Sequence, residues 1–171
     1  MSDGKIQNYI DSEALAVEDD ERLVRLLCSP LYYDRQTGMV SPDAFDLRIL
    51  GKNKDKPESY VSLGRMLYLD SKEKFDGYVA NGNKIKWPAH NPKNVFAGYG
   101  MFLCGDARDV HEMVRVHPLK GSKEFHIGLF YVKADGTLYE GPLPKTDADV
   151  LEMLADLADL LEVTSVPSAN N

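Results

Sequence analysis

A chain of 171 residues sits just above the commonest domain size, so one domain is expected, long enough to bury about two-thirds of its unfolded surface. With 43% hydrophobic residues, 27% charged residues and a formal net charge of -7, the composition is globular, and its acidity argues against nucleic-acid binding, which depends on neutralising phosphates. Cys28 and Cys104 can close one bridge and no disulfide framework, no window approaches the ~18 apolar residues of a membrane helix, and the acidic amino terminus lacks the apolar stretch of a signal peptide. A cytoplasmic chain with no membrane partner is the expectation.

The acids cluster at the ends. Asp3, Asp11, Glu13, Glu18, Asp19, Asp20 and Glu21 face only Lys5, so residues 1–20 read as a weakly ordered acidic arm ahead of a domain over 21–163. Arg22 to Leu27 reads as a strand ended by Ser29-Pro30, because the proline and the following tyrosines suit extended chain. Gln36-Thr37-Gly38 is a turn, and Ser41-Pro42-Asp43 an N-cap with proline at the first helical position. Leu47 to Leu50 and Ser59 to Arg65 are short strands around a basic loop holding Arg48, Lys52, Lys54 and Lys56 against Asp55.

Asp70 or Ser71 caps a middle helix through Val79, stopped by Asn81-Gly82. Ile85 to Asn94, with two prolines, reads as an irregular loop. Val95 to Cys104 is an apolar run whose Gly98 and Gly100 suit a central strand closely approached by another backbone. Val110 to His117 and Glu124 to Val132 read as a strand pair joined by Pro118–Lys123, and Asp135-Gly136 as a hairpin turn into Thr137 to Glu140. Thr146 caps a closing amphipathic helix from Asp147 to about Leu161, with Val150, Leu154, Leu157 and Leu161 at helical spacing, and residues 164–171 form a frayed tail. The sum is an α+β fold: a mainly antiparallel twisted sheet, a middle helix, and a C-terminal amphipathic helix packed on one face.

Strand alternation points to one candidate site. Phe125, Ile127, Leu129 and Tyr131 form an apolar face, leaving Glu124, His126, Gly128 and Phe130 on the other. In the preceding strand, His111, Met113, Arg115 and His117 share a face. Pairing through the Pro118–Lys123 loop sets His117 opposite Glu124, Arg115 opposite His126, and Met113 opposite Gly128, whose missing side chain leaves a shallow gap. This is either the solvated face of a half-covered sheet or a site in which His126, His117 and Glu124 do acid–base work while Arg115 and His111 hold an anion. His111 and His117, roughly 20 Å apart along a strand, cannot share a metal, and no cofactor is implied.

Cys104, at a strand end before Gly105-Asp106, is a candidate nucleophile if a histidine reaches it, although a buried inert cysteine is the commoner case. Arg25 and Arg65, each among apolar neighbours, either form an anion pocket or are paired with the abundant acids. Trp87 in the proline-rich loop and Leu157, Leu160 and Leu161 on the closing helix are candidate partner contacts.

No phosphate loop, dinucleotide fingerprint, zinc motif or nucleophile elbow occurs. Two functions stay open. One is a non-catalytic cytoplasmic adaptor that binds another protein or a second copy of itself. The other is a small hydrolase or transferase that acts on an anionic small molecule at the 110–132 hairpin.

Overall fold

The computed structural model describes residues 5–50, 53, 55–84 and 94–162. In chain order its strands are β1 (Arg22–Ser29), β2 (Tyr33–Asp34), β3 (Met39–Val40), β4 (Ile49–Leu50), β5 (Lys56–Pro57) and β6 (Val61–Arg65). They continue with β7 (Val95–Leu103), β8 (Val114–Pro118), β9 (His126–Tyr131) and β10 (Asp159–Glu162). Helices α1 (Lys72–Ala80), α2 (Cys104–Val110) and α3 (Ala148–Leu157) complete an α+β fold. Six strands form one antiparallel sheet in the order β10-β7-β1-β6-β9-β8, while β2–β3 and β4–β5 are small ribbons. No helix among the described residues is long and apolar enough to cross a membrane.

Both faces of this sheet are covered. On one, Leu23, Leu27, Leu63, Ile127 and Leu129 pack with Val150, Leu151 and Leu154 of α3, Phe45 and Phe102. The α3 helix therefore shields one sheet face, as its amphipathic spacing requires. Adjacent strand residues point the opposite way, and there Tyr78 of α1 fills the space over Gly64, where an added Cβ would come within 2.6 Å of its ring. Ser71 caps α1 by accepting from the amide of Lys74.

Three elements depart from the sequence expectation. The helix expected to reach Leu161 stops at Leu157, and the chain turns back as an edge strand pairing Leu160 with Gly100 and Leu161 with Tyr99. Asp156, Asp159 and Glu162 would crowd acids at a helix C-terminus, where the dipole disfavours them. Gly100 meanwhile admits Ala158 to 3.0 Å from the position of an added Cβ.

Second, the strand expected from Val110 begins only at Val114, because residues 104–110 form α2. This helix has no side-chain N-cap. Its first amides instead donate to distant carbonyls, Cys104 to Glu21 (2.9 Å) and Gly105 to Asp19 (2.9 Å), a tertiary cap that carries no local signature. Third, the strand expected at Thr137–Glu140 is reduced to the bridge Val132↔Leu138 beyond the Asp135-Gly136 turn.

The N-terminal segment is tied to the domain by Arg65, which is 1% exposed. Its Nε donates to Glu21 Oε1 (2.6 Å) and its Nη2 to Glu21 Oε2 (2.9 Å), while Nη1 reaches Leu15 O (2.6 Å) and Nη2 also reaches Ala16 O (2.7 Å). Further out, Asp11 donates its amide to Pro118 O and Lys120 donates to Tyr9 O. The 164–171 tail expected from sequence lies outside the described residues, as does Val163.

Arg65→Ala leaves the Glu21 carboxylate with only the Glu18 amide as donor and the carbonyls of Leu15 and Ala16 without the donor they now have. We expect a loss of about 3–5 kcal/mol in urea unfolding, with proteolytic cleavage appearing first within residues 5–20. Arg65→Lys keeps the charge but lacks the planar fork, so it should restore less than half of the loss. A near-neutral Arg65→Ala would remove this clamp from the account.

Candidate functional site

The β8–β9 pair has the expected shared face but not the expected register. His117 lies opposite Gly128, Arg115 opposite Phe130 and Pro118 opposite Ile127, four residues along from the pairing inferred from loop length. The change is even, so Arg115, His117, His126 and Phe130 stay on one side. It nevertheless separates them: His126 lies four residues from the partner of Arg115, about 13 Å along the strand. Glu124 precedes β9 and is exposed, and it does not face His117.

Nor is the middle of this face solvated. Phe130 is fully buried and forms a second small core with Leu119 and Leu138, covered by Ile6, Tyr9 and Tyr60. Tyr9 and Tyr60 ring centroids stand 6.0 and 5.5 Å from that of Phe130. The gap expected over Gly128 is filled, since an added Cβ would lie 2.9 Å from Phe130 and 3.0 Å from Leu119. The N-terminal segment supplies this cover, and an acidic composition gives no hint of it.

Both hairpin histidines edge this cluster. The His117 ring lies 6.3 Å from Phe130 and the His126 ring 6.5 Å from Tyr60. Burial lowers the pKa of both, and Arg108 and Arg115 lower that of His117 further. His126 Nδ1 lies 3.1 Å from Ser122 Oγ. His126 also lines a cleft of about 240 Å³ with Tyr78, Phe125, Asn81 and Ser62.

Cys104 is fully buried, and burial pushes its thiol up to about 11. A nucleophilic cysteine needs the opposite shift. Cys28 is likewise buried, and both thiols are free. Arg65 is consumed by Glu21 and two carbonyls, as described above. Arg25 donates to Ala44 O (2.9 Å) and Ser62 O (3.2 Å) and stacks over Tyr32. Both arginines are bonded within the fold, and Arg25 also lines the cleft beside His126. The acid partner weighed for each exists for Arg65, whereas Arg25 is held by carbonyls.

The other candidate positions are dispersed as well. Leu157 and Leu160 pack against the main core, while Leu161 is exposed on the edge strand. Trp87 lies outside the described residues. Among the described residues no cluster of His, Cys, Asp or Glu is placed to hold a metal ion.

A second concavity that involves the predicted residues lies at the open end of the hairpin. This cleft of about 460 Å³ is lined by His111, Glu112, Met113, Arg115, Lys133, Tyr139 and Asp147. The end of α2 places His111, whose Nδ1 accepts from the Met113 amide (3.0 Å). Arg115 is braced by carbonyls, its Nη1 donating to Glu112 O and to Val114 O (3.1 Å). Lys133 Nζ lies 5.5 Å above the Tyr139 ring, whose hydroxyl is 3.1 Å from Asp147 Oδ2. Sequence reasoning named His111 and Arg115 as candidates. It missed Lys133, Tyr139 and Asp147, which belong to a turn, the bridge after it and the start of α3, and no sequence spacing links them. Comparison of the chain with protein family models, curated proteins and solved structures gave no match.

Two outcomes follow from the buried groups. Unfolded, each histidine takes a proton near pH 6.5; folded, burial delays protonation to lower pH. Below about pH 6.5 the unfolded chain therefore binds more protons, so stability is full above that pH and declines as pH falls, by at most about 1.4 kcal/mol per pH unit per histidine. Glu21 acts lower: burial alone would raise its pKa, but the Arg65 and Glu18 hydrogen bonds hold it below 4.5, so its contribution is present above 4.5 and lost on further acidification. Urea unfolding between pH 7.5 and 5.5 reads the histidine window, and His126→Gln should flatten it. An unchanged slope would sink the assignment. Separately, a thiol reagent should leave Cys104 unmodified in the native protein and label it only on unfolding.

Proposed function

We propose that this chain is a non-catalytic binding module and that its contact point is the cleft between His111, Arg115, Lys133, Tyr139 and Asp147. The observation that carries the reading is the character of that lining. Charged and aromatic groups surround an open cavity of about 460 Å³, within the size range of small-molecule sites, while the buried histidines and thiols lie elsewhere. Arg115 is exposed and spends one terminal nitrogen on the Glu112 and Val114 carbonyls, leaving its other donors for a ligand. The two free, buried thiols suit a reducing, cytoplasmic setting.

A thermal-shift panel of carboxylates, phosphates, amines and zwitterions tests this. At least one class should raise the Tm of the parent and not that of an Arg115→Ala, Lys133→Ala double variant. If no class stabilises the parent, or the variant responds equally, the cleft is not a binding site.

A second reading, a small hydrolase, draws on Ser122 and His126, whose Oγ and Nδ1 are 3.1 Å apart. A serine nucleophile needs such a base, and the base needs an orienting partner. Among the described residues the His126 ring hydrogen-bonds to Ser122 and to no carboxylate that would orient it. We expect p-nitrophenyl acetate hydrolysis to remain at background and to be unchanged by Ser122→Ala. A clear rate abolished by that change would favour the enzyme instead.

A further inference from the structure

Resting on the reading of this cleft as a binding site, we propose that its ligand is a small zwitterion with a carboxylate and an ammonium group, of the class of free amino acids and dipeptides. The cleft carries both signs of charge. Arg115 and Lys133 are cationic and Glu112 and Asp147 anionic, so the lining has no net formal charge, and among the described residues no salt bridge joins these four to one another or to any other group. A net anion or a net cation would meet as many like charges as opposite ones. A molecule carrying both signs can pair with both.

The donors are arranged for a carboxylate. His111 Nδ1 accepts the Met113 amide, so the neutral ring carries its proton on Nε2 and donates from there. Arg115 has one terminal nitrogen on carbonyls, and no described acceptor takes its Nε and Nη2, the side-by-side pair that matches a carboxylate. The acceptors suit an ammonium. Asp147 spends Oδ2 on the Tyr139 hydroxyl and keeps Oδ1 for a cation. Glu112, exposed beside it in the lining, adds a second acceptor. The Tyr139 ring, with Lys133 over it, offers an aromatic wall to a side chain. A ligand bound at both ends gains from each only when the other is also held, the multivalent gain that separates zwitterions from their blocked forms.

A 15N–1H NMR titration of the full chain tests this with alanyl-phenylalanine, its N-acetyl form, its C-terminal amide, and inorganic phosphate. The free dipeptide should shift the amides of residues 111–115, 133 and 139 saturably. Acetylation and amidation should each weaken binding at least tenfold. Arg115→Ala should weaken the free dipeptide at least tenfold and alter the amide less than twofold; Asp147→Asn should do the same for the free and acetylated forms. Blocked forms that bind as well as the free dipeptide, or phosphate that moves the same amides, would overturn the zwitterion while leaving a binding cleft. Absence of any saturable shift overturns it as well. The thermal-shift panel then separates a cleft for another ligand class from no binding site.

Discussion

A guanidinium with almost no exposed surface must have its donors matched, and Arg65 matches them across a sequence separation that no local element could span. Its partners, Glu21 and the carbonyls of Leu15 and Ala16, belong to the acidic segment before β1. Desolvating such a pair is costly, so the pair holds only if the segment keeps one path. That path then does further work. The carbonyls of Asp19 and Glu21 cap α2, and Asp19 pairs with Arg108, which also donates to Val116 O on β8. Earlier in the same segment, Tyr9 and Ile6 cover Phe130. Removing the clamp would loosen the start of α2, the outer edge of β8 and the second core together.

This arrangement explains where the candidate site lies. Once the N-terminal segment covers the middle of the β8–β9 face, His117 and His126 become partly buried groups that resist protonation. The His111–Arg115 cleft lies at the far end of the hairpin, where α2 ends and the Lys133–Thr137 turn folds back.

The arginines illustrate how similar sequence settings lead to different outcomes. Arg25 and Arg65 both stand between apolar neighbours, and both are consumed by the fold. Arg25 does this just past the paired residues Val24 and Gly64, donating to Ser62 O on the neighbouring strand. Arg115, with valines on either side, is instead exposed, because its strand lies at the sheet edge and its outward face runs past the covering segment. Burial depends on what the rest of the chain places over a residue.

The amino-acid sequence by itself determined the α+β class, the central β1 and β7, the Ser71-capped middle helix, the Asp135-Gly136 turn and the shared face of Arg115, His117 and His126. Each of these follows from short-range rules: alternation, capping and turn chemistry act over a few residues and leave a local pattern. Tertiary structure decided the β8–β9 register, the conversion of Cys104–Val110 to helix, the end of α3 at Leu157 and the cover over Phe130. It also decided that Lys133, Tyr139 and Asp147 would join His111 and Arg115. For three of these the deciding partner is distant in sequence: Asp19 and Glu21 for α2, Gly100 for β10, Tyr9 for Phe130. Desolvation and hydrogen-bond matching at those contacts outweigh local preferences of a few tenths of a kcal/mol per residue, and no window of sequence contains both halves of the contact.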